Sequence, residues 1–301
     1  MAAKLRAVAL VTARAARGLD EDDPPLQLAL RAAGCEVQTV EWDDPAVDWR
    51  AFDVALLRSA WDYAERISEF LAWVERTARL TCVLNPPAVV RWNTDKHYLG
   101  ELSRAGVATV PSIFLEPGDD AGKILPQFLR ANATAELVIK PAVGAGSRDA
   151  RRHRRDEPEA AVAHARHLLA SSRSVLLQPY LSRVDHEGET ALVFIEGRFS
   201  HAVRKGALLP AGGAATTGLF AAETITARVP GEDELELAQR VVATLPFDTL
   251  LYARIDLIRD DQGVPRLLEL ELTEPSLFFL HATGSAEKLT AALLHRFRAA
   301  S

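Results

Sequence analysis

Residues 138–147 of this 301-residue chain read Val-Ile-Lys-Pro-Ala-Val-Gly-Ala-Gly-Ser. The apolar start predicts a strand that carries Lys140, and Gly144, Gly146 and Ser147 then predict a short loop of small residues. In such a loop, backbone N–H groups can approach phosphate oxygens closely, and a neighbouring lysine adds positive charge. The residue order differs from that of a Walker A loop. We therefore expect either a phosphate-binding loop or an ordinary turn after a strand.

Three acidic residues lie on two adjacent predicted strands near the end of the chain. Glu269 and Glu271 are two positions apart, so their side chains point to the same face of one strand. The four-residue turn 260–263 folds the preceding strand back and brings Asp256 beside Glu269. Carboxylates that converge on one face repel each other unless a divalent cation lies between them. The pattern predicts a Mg²⁺ site, and the alternative is a solvated acidic face.

Two further stretches carry weaker signals. The segment Gln178-Pro-Tyr-Leu181 ends a hydrophobic strand, where backbone groups suit the edge of a purine and equally suit a plain strand end. Arg204 and Lys205 end another strand and are followed by the glycine-rich stretch 206–218. Because long glycine-rich loops beside phosphates often act as lids, we expect a lid here.

The strand and helix patterns predict two kinds of architecture in one chain. Before residue 90, short apolar strands alternate with helical patterns, which is typical of βαβ units and a parallel sheet. After residue 110, strand-like stretches are joined by tight turns, which predicts antiparallel hairpins. We therefore expect a mixed fold, with α/β structure in front and α+β structure behind it.

A polar cluster follows the third strand of the front part, at the edge where open α/β sheets bind ligands. It consists of Arg58, Ser59, Trp61, Asp62 and Tyr63. We expect Arg58 to hold a substrate carboxylate through a bidentate contact and Asp62 to accept a substrate ammonium group. The alternative is a capped helix start with a packed tryptophan.

The composition of the chain argues against several classes of function. The chain carries 35 basic and 41 acidic residues, a net charge of −6, which argues against general binding to nucleic acid or to a membrane surface. Two cysteines outside any Cys-x-x-Cys pair predict neither a disulfide framework nor a zinc site, and they suit a reducing cytoplasm. The basic run Arg151–Arg155 is interpreted as a solvated loop. A Gly-x-Ser-x-Gly elbow is missing from the sequence, which argues against a serine hydrolase.

The order of these features, preceded by Lys96 in the segment Asn93-Thr-Asp-Lys96, resembles that of the ATP-grasp ligases. This is the superfamily of glutathione synthetase and D-alanine–D-alanine ligase, and the resemblance covers essentially the whole chain. It implies an N-terminal α/β domain and two antiparallel α+β subdomains that enclose the nucleotide, with divisions at 1–92, 93–185 and 186–301. It also implies ATP and Mg²⁺ as cofactors.

The resemblance assigns a role to each motif. Lys96 and Lys140 are expected to grip the nucleotide phosphates, and Arg254 and Lys205 to serve the transfer step. The remaining nucleotide-binding positions are Gly144, Gly146, Ser147, Gln178, Pro179, Tyr180, Leu181 and Glu189. The metal ligands are Asp256, Glu269 and Glu271, the last where the family commonly has asparagine; a glutamate still suits a hard cation. The substrate positions are Arg58, Ser59, Trp61, Asp62, Tyr63, Arg204 and Ser276.

Four phrases are similar to a narrower clade that contains D-cycloserine synthetase, and they occupy residues 57–63, 187–194, 199–205 and 268–276. This similarity implies an ATP-dependent carboxylate–amine ligase that works through an acylphosphate. Its reaction would be the ring closure of O-ureido-D-serine to D-cycloserine. The alternatives are an intermolecular peptide or amino-acid ligase and a non-catalytic nucleotide-binding module. We also expect a small amino-acid-like substrate, a cytoplasmic location and a homodimer.

Overall fold

The structure is a computed structural model that describes residues 5–209, 219, 224–248 and 250–299. Of the lid predicted at 206–218, positions 210–218 lie outside the described residues. Within the described ranges the strands form one parallel sheet and two antiparallel sheets. None of the helices in these ranges is long and apolar enough to cross a membrane. The expected mixture of a parallel α/β front and an antiparallel α+β body is confirmed.

The front part follows the predicted alternation of strands and helices. Its elements are β1 (Ala7–Thr12), α1 (Asp23–Ala32), β2 (Glu36–Glu41), β3 (Val54–Ser59), α2 (Ile67–Thr77) and β4 (Cys82–Leu84). The strands are parallel in the order β2-β1-β3-β4, and every residue of the central strand β3 is buried. Two prolines lie in the first turn of α1, where a missing N–H breaks no helical hydrogen bond. The helix stops before Gly34, whose φ of +85° suits glycine.

The second sheet is antiparallel. This part of the chain contains α3 (Pro87–Asn93), α4 (Tyr98–Arg104), β5 (Ile113–Leu115), α5 (Ala121–Ala131), β6 (Glu136–Pro141), β7 (Arg151–Arg154), α6 (Pro158–Ala170) and β8 (Val175–Pro179). The strand order is β5-β8-β6-β7. The basic run that we expected to be a loop is in fact the edge strand β7. It is stabilised there because Arg152 pairs with Glu136 and Asp185 and packs over the ring of Tyr180.

The third sheet is the larger antiparallel one. Its part of the chain contains α7 (Val184–Glu187), β9 (Glu189–Ile195), β10 (Arg198–Lys205), β11 (Ile225–Arg228), α8 (Glu232–Thr244), β12 (Tyr252–Arg259), β13 (Pro265–Glu271) and α9 (Ser285–Ala299). The strand order is β11-β10-β9-β12-β13. Asp260 Oδ1 accepts the backbone N–H of Val264 at 2.8 Å and closes the predicted turn. This hairpin places Asp256 opposite Glu269, as the sequence predicts.

The last helix packs against the first one. Leu289 and Leu293 of α9 are fully buried in one cluster with Leu26 and Leu30 of α1. Burying a leucine side chain contributes about 1.5–3 kcal/mol, so this contact ties the end of the chain firmly to the front sheet. The division of the chain at 1–92, 93–185 and 186–301 stays a prediction.

Candidate active site

A cavity of about 330 Å³ is lined by residues from the two antiparallel sheets and by residues of the front part outside its sheet, at positions 19–22, 61 and 63. Most of the residues predicted to bind nucleotide, metal or substrate lie in its wall. These are Trp61, Tyr63, Lys96, Lys140, Gly144, Gly146, Ser147, Gln178, Pro179, Tyr180, Leu181, Glu189, Lys205, Arg254, Glu269, Glu271 and Ser276. The predicted residues that do not line it are Arg58, Ser59, Asp62, Arg204 and Asp256. Motifs that are distant in sequence therefore converge on one place.

Two lysines and one carboxylate form a group beside the Gly144–Ser147 loop, in which Lys96 is buried and Lys140 and Glu269 are partly buried. Lys96 Nζ lies 2.9 Å from Glu269 Oε1 and also donates to the carbonyl oxygen of Gly144 at 2.9 Å. Lys140 Nζ lies 3.9 Å from the other oxygen of Glu269. Burial lowers the pKa of Lys140, and the neighbouring Lys96 contributes in the same direction. Two ammonium groups thus lie beside the loop and can bind a polyphosphate through charge-assisted contacts.

Asp256 is held by two cations of its own sheet. Arg254 contacts both of its carboxylate oxygens at 2.9 Å, and Lys205 Nζ lies 3.1 Å from Oδ2. Burial raises the pKa of Asp256, but Arg254 and Lys205 outweigh it and hold the pKa at about 2. Arg254 also contacts Glu271. The pKa of Glu271 is nevertheless raised to about 7, by burial and by the nearby carboxylates of Asp256 and Glu269.

The acidic group fits Mg²⁺ by its donor chemistry. Asp256, Glu269 and Glu271 offer the oxygen ligands that hard cations prefer. Within the part of the chain that the structure describes, no three His, Cys, Asp or Glu side chains are already arranged as a metal cluster. The reason is that each of the three carboxylates contacts a lysine or an arginine instead. Because Mg²⁺ is usually held by one or two carboxylates together with substrate phosphates, these residues fit a cation that arrives with a nucleotide.

Another part of the wall is apolar. The buried side chains there belong to one cluster and are Val138, Tyr180, Leu181, Val184 and Ile258, with Leu268 packed against them. The side-chain amide of Gln178 donates to Ser112 Oγ at 2.9 Å and fixes the end of β8. An apolar slot bordered by the backbone of 178–181 suits a flat heteroaromatic ring, which is the shape of a nucleotide base.

The structure does not support the predicted carboxylate clamp at Arg58. The Arg58 side chain is fully buried, and its Nη2 lies 3.2 Å from Asp22 Oδ2 and 3.6 Å from Asp20 Oδ2. Asp22 also accepts hydrogen bonds from the backbone N–H groups of residues 277–279. Arg58 therefore joins the end of β3 to the loop before α1 and, through Asp22, to the segment after β13. It supports the fold and is out of reach of a ligand.

Three further substrate assignments need the same correction. Ser59 Oγ lies 2.8 Å from a hydroxyl group of β1 in the core. Asp62 accepts an indole N–H at 2.8 Å, and Arg204 donates to backbone carbonyl groups of α7. Asp62 is engaged away from the cavity because the chain leaves β3 in an irregular turn, where the two-residue alternation of a strand no longer applies. Ser59 and Arg204 lie within β3 and β10, and their partners are on neighbouring elements of the fold. Trp61 and Tyr63, from the same cluster, do line the cavity.

One functional candidate was missed by sequence analysis. Glu274 follows β13, is 8% exposed and lines the cavity. Trp61 Nε1 donates to its carbonyl oxygen at 3.3 Å. Burial raises the pKa of its carboxyl group to about 8, and the neighbouring Glu271 adds to the effect. The only signal in the sequence is an acidic residue between the strand with the two glutamates and a proline.

The fold and this site define an ATP-grasp enzyme, and comparison with known proteins shows the same. The family model for the ATP-grasp domain of prokaryotic glutathione synthetase matches residues 121–279. The chain belongs to the ATP-grasp family and is an ATP-dependent ligase. A second family model, for the N-terminal domain of D-cycloserine synthetase DcsG, matches residues 8–85. The resemblance inferred from the sequence motifs is confirmed.

Individual relatives match this chain over nearly its whole length. The chain is 39% identical over 297 residues to the cycloserine biosynthesis protein DcsG of Streptomyces lavendulae, which covers 97% of this chain and 99% of that protein. The crystal structure of D-cycloserine synthetase DcsG superposes with a TM-score of 0.90 at 38% identity, over 97% of this chain and 99% of that one. The D-alanine–D-alanine ligase of Bacillus anthracis complexed with ATP gives a TM-score of 0.67 at 15% identity, over 99% of both chains, which shows a shared fold.

Proposed function

We propose that this ligase uses ATP to activate the carboxylate of O-ureido-D-serine and closes the molecule to D-cycloserine. The observation that carries the proposal is the cavity in which Lys96, Lys140 and the carboxylates of β13 meet Trp61 and Tyr63 of the front part. The groups that activate the carboxylate and the residues that contact the substrate thus line the same cavity. Similarity to D-cycloserine synthetase over the whole chain, including residues 8–85, supports this substrate.

The nucleotide is bound by charge at one end and by apolar packing at the other. Lys96 and Lys140 bind the phosphates through charge-assisted contacts, and the slot beside residues 178–181 takes the base. Asp256, Glu269 and Glu271 are the residues that would hold Mg²⁺. When bound, the cation supplies positive charge that neutralises the phosphate oxygens.

The chemistry then has three steps. An oxygen of the substrate carboxylate attacks the γ-phosphorus, the bond from that phosphorus to ADP breaks, and an acylphosphate forms. Arg254 lies in the wall where it can stabilise the charge on the transferring group. The nitrogen bound to the side-chain oxygen of the same molecule next attacks the acyl carbon and loses its proton, and phosphate leaves as the five-membered ring closes. Water then cleaves the carbamoyl group, which is released as CO₂ and ammonia, from that nitrogen and leaves D-cycloserine. Because nucleophile and electrophile belong to one molecule, ring closure gains from high effective concentration.

Enzyme assays with candidate amino acids test the proposal. ADP release is measured with O-ureido-D-serine, its L-enantiomer, D-alanine and dipeptide acceptors, and the products are identified by mass spectrometry. We expect ADP and D-cycloserine from O-ureido-D-serine. Release of ADP with a dipeptide product, and none with O-ureido-D-serine, would establish an intermolecular ligase instead.

A further inference from the structure

The segment 272–279, which follows β13, is fixed in place by the rest of the molecule. Four side chains are hydrogen-bonded to its backbone: Tyr252 and Trp61 donate to carbonyl groups, and Asn93 and Asp22 accept from N–H groups. Two of these side chains come from the front part, and the others come from α3 and β12. Glu274 therefore lies in the cavity wall on a backbone that is held from several sides. A side chain on such a support is positioned before any ligand binds.

Glu274 differs in its partners from three other glutamates of the cavity wall. Glu189, Glu269 and Glu271 each contact a lysine or an arginine. Among the described residues, no cationic side chain forms an ion pair with Glu274; Lys96 and Tyr63 act to lower the pKa of its carboxyl group, but burial outweighs them. A carboxylate that is 8% exposed and has no ion-pair partner is unfavourable by itself. A positively charged ligand group in the cavity relieves this cost.

We propose that Glu274 binds the α-ammonium group of the amino-acid substrate, an assignment that rests on the proposed function. In an α-amino acid the ammonium group and the carboxylate are attached to the same carbon. The receptor for the ammonium group must therefore lie next to the site where the carboxylate is phosphorylated. Glu274 meets this condition because it follows the strand of Glu269 and Glu271 by three residues and shares the wall with Arg254 and Ser276.

The other acidic candidates are either engaged or, like Glu21 in the cavity wall, exposed to solvent. Asp62 accepts an indole N–H and does not line the cavity. Asp20 lines the cavity, but its Oδ2 is buried at 3.6 Å from Arg58, so its charge is compensated within the protein. The raised pKa of Glu274 agrees with a carboxyl group that becomes fully ionised when a cation binds.

A comparison of two substrates in two proteins tests the assignment. The substrates are O-ureido-D-serine and the analogue in which hydrogen replaces its α-amino group. The proteins are the wild type and Glu274→Gln, which removes the charge at nearly constant shape, with Glu236→Gln on the exposed face of α8 as the matched control. The kcat, both KM values and the Mg²⁺ concentration for half-maximal rate are measured.

We expect Glu274→Gln to raise the KM for O-ureido-D-serine about 10- to 100-fold, the range of a lost charge-assisted hydrogen bond. The KM for ATP and the Mg²⁺ requirement should change less than twofold. With the analogue, the wild type and Glu274→Gln should give the same KM, because there is no ammonium group to bind. Glu274→Asp keeps the charge, so its KM for O-ureido-D-serine should be lower than its KM for the analogue, by a smaller ratio than in the wild type. This variant tests the assignment even if Glu274→Gln folds poorly.

Other outcomes overturn the assignment in recognisable ways. An equal loss of kcat on both substrates identifies a proton-transfer role, and a raised Mg²⁺ requirement identifies a metal contact. Unchanged kinetics in Glu274→Gln, or equal KM values of the wild type for both substrates, would show that Glu274 does not bind the ammonium group. Failure of the wild type to convert O-ureido-D-serine at all overturns the proposed function, and this assignment with it.

Discussion

The ammonium group of Lys96 lies 2.9 Å from the carboxylate of Glu269, and each is assigned to a different ligand. Lys96 is assigned to the nucleotide phosphates and Glu269 to Mg²⁺. The pair holds the loop 144–147 next to β13, since Lys96 also donates to the Gly144 carbonyl group. When the nucleotide and the cation bind together, Lys96 contacts the phosphates and Glu269 contacts Mg²⁺ in place of each other. Each of the two charges therefore has a partner of opposite charge both with and without ligands.

The first prediction concerns Glu269. Replacing Glu269 with Gln should lower turnover at least about 100-fold, because a neutral amide is a poorer ligand for a hard cation and leaves Lys96 and Lys140 without their counter-charge. Rates at saturating ATP and Mg²⁺ are to be compared with thermal unfolding of the same samples. A variant with wild-type turnover and an unchanged Tm would remove Glu269 from the metal site.

Glu271 provides a matched comparison at the next position on the same face. The family commonly has asparagine there, and an amide oxygen can serve as a ligand for Mg²⁺. Glu271→Asn should therefore keep turnover within about tenfold of the wild type, in contrast to Glu269→Gln. If the asparagine variant loses activity as completely as Glu269→Gln, the two glutamates are equivalent ligands and the distinction fails.

Lys140 is predicted to act on nucleotide affinity. Lys140→Ala should weaken binding of a non-hydrolysable ATP analogue by about 1.5–3 kcal/mol, the usual size of a hydrogen bond to a charged group. Calorimetric titration gives the affinity. The matched control is Lys123→Ala on α5, where the side chain is 81% exposed, and it should bind like the wild type. Equal affinity in Lys140→Ala would mean that the loop 144–147 is only a turn.

Arg58 should affect stability and not substrate affinity. Removing one partner of a buried ion pair typically costs 3–5 kcal/mol, so Arg58→Met should lower the free energy of unfolding by about that amount. Urea titration measures it. The fraction that remains folded should show wild-type KM values for both ATP and the amino acid. A stable Arg58→Met with a raised KM for the amino acid alone would restore the carboxylate clamp.

The pair of His153 and His164 gives a prediction about pH. His153 Nε2 lies 3.0 Å from His164 Nδ1, and burial, with His153 beside it, lowers the pKa of His164 to about 4. In the unfolded chain the pKa of His164 is about 6.5, so the unfolded state takes up the proton first as pH falls. The free energy of unfolding should therefore decrease from about pH 6.5 down to about pH 4. His164→Gln should reduce this slope, whereas the exposed control His167→Gln should not; equal slopes in all three proteins would contradict the account.

Much of the fold follows from local patterns that the sequence displays. Alternation along β13 and the turn at 260–263 predict that Asp256 faces Glu269, and the pairing register agrees. Small residues after Lys140 predict a loop at 144–147, and these residues do lie in the cavity wall. Such features are readable because they depend on neighbours only a few positions apart.

The misassigned residues depend on distant partners instead. Arg58 is internal because Asp20 and Asp22, more than thirty positions earlier, fold back onto the end of β3. Glu274 becomes a cavity residue because Trp61 and Asp22 hold its segment from the front part. Contacts between residues so far apart along the chain leave no periodic pattern in a single sequence. The homodimer expected from the resemblance stays a prediction.

The central claim is that the substrate carboxylate is activated by ATP and that the same molecule then closes into a ring. The most direct measurement uses O-ureido-D-serine with both carboxylate oxygens labelled with ¹⁸O, in unlabelled water with ATP and Mg²⁺. Mass spectrometry of the products should find one ¹⁸O in the released phosphate and one in the carbonyl group of D-cycloserine. ADP formation with unlabelled phosphate, or labelled phosphate without a ring product, would contradict the account.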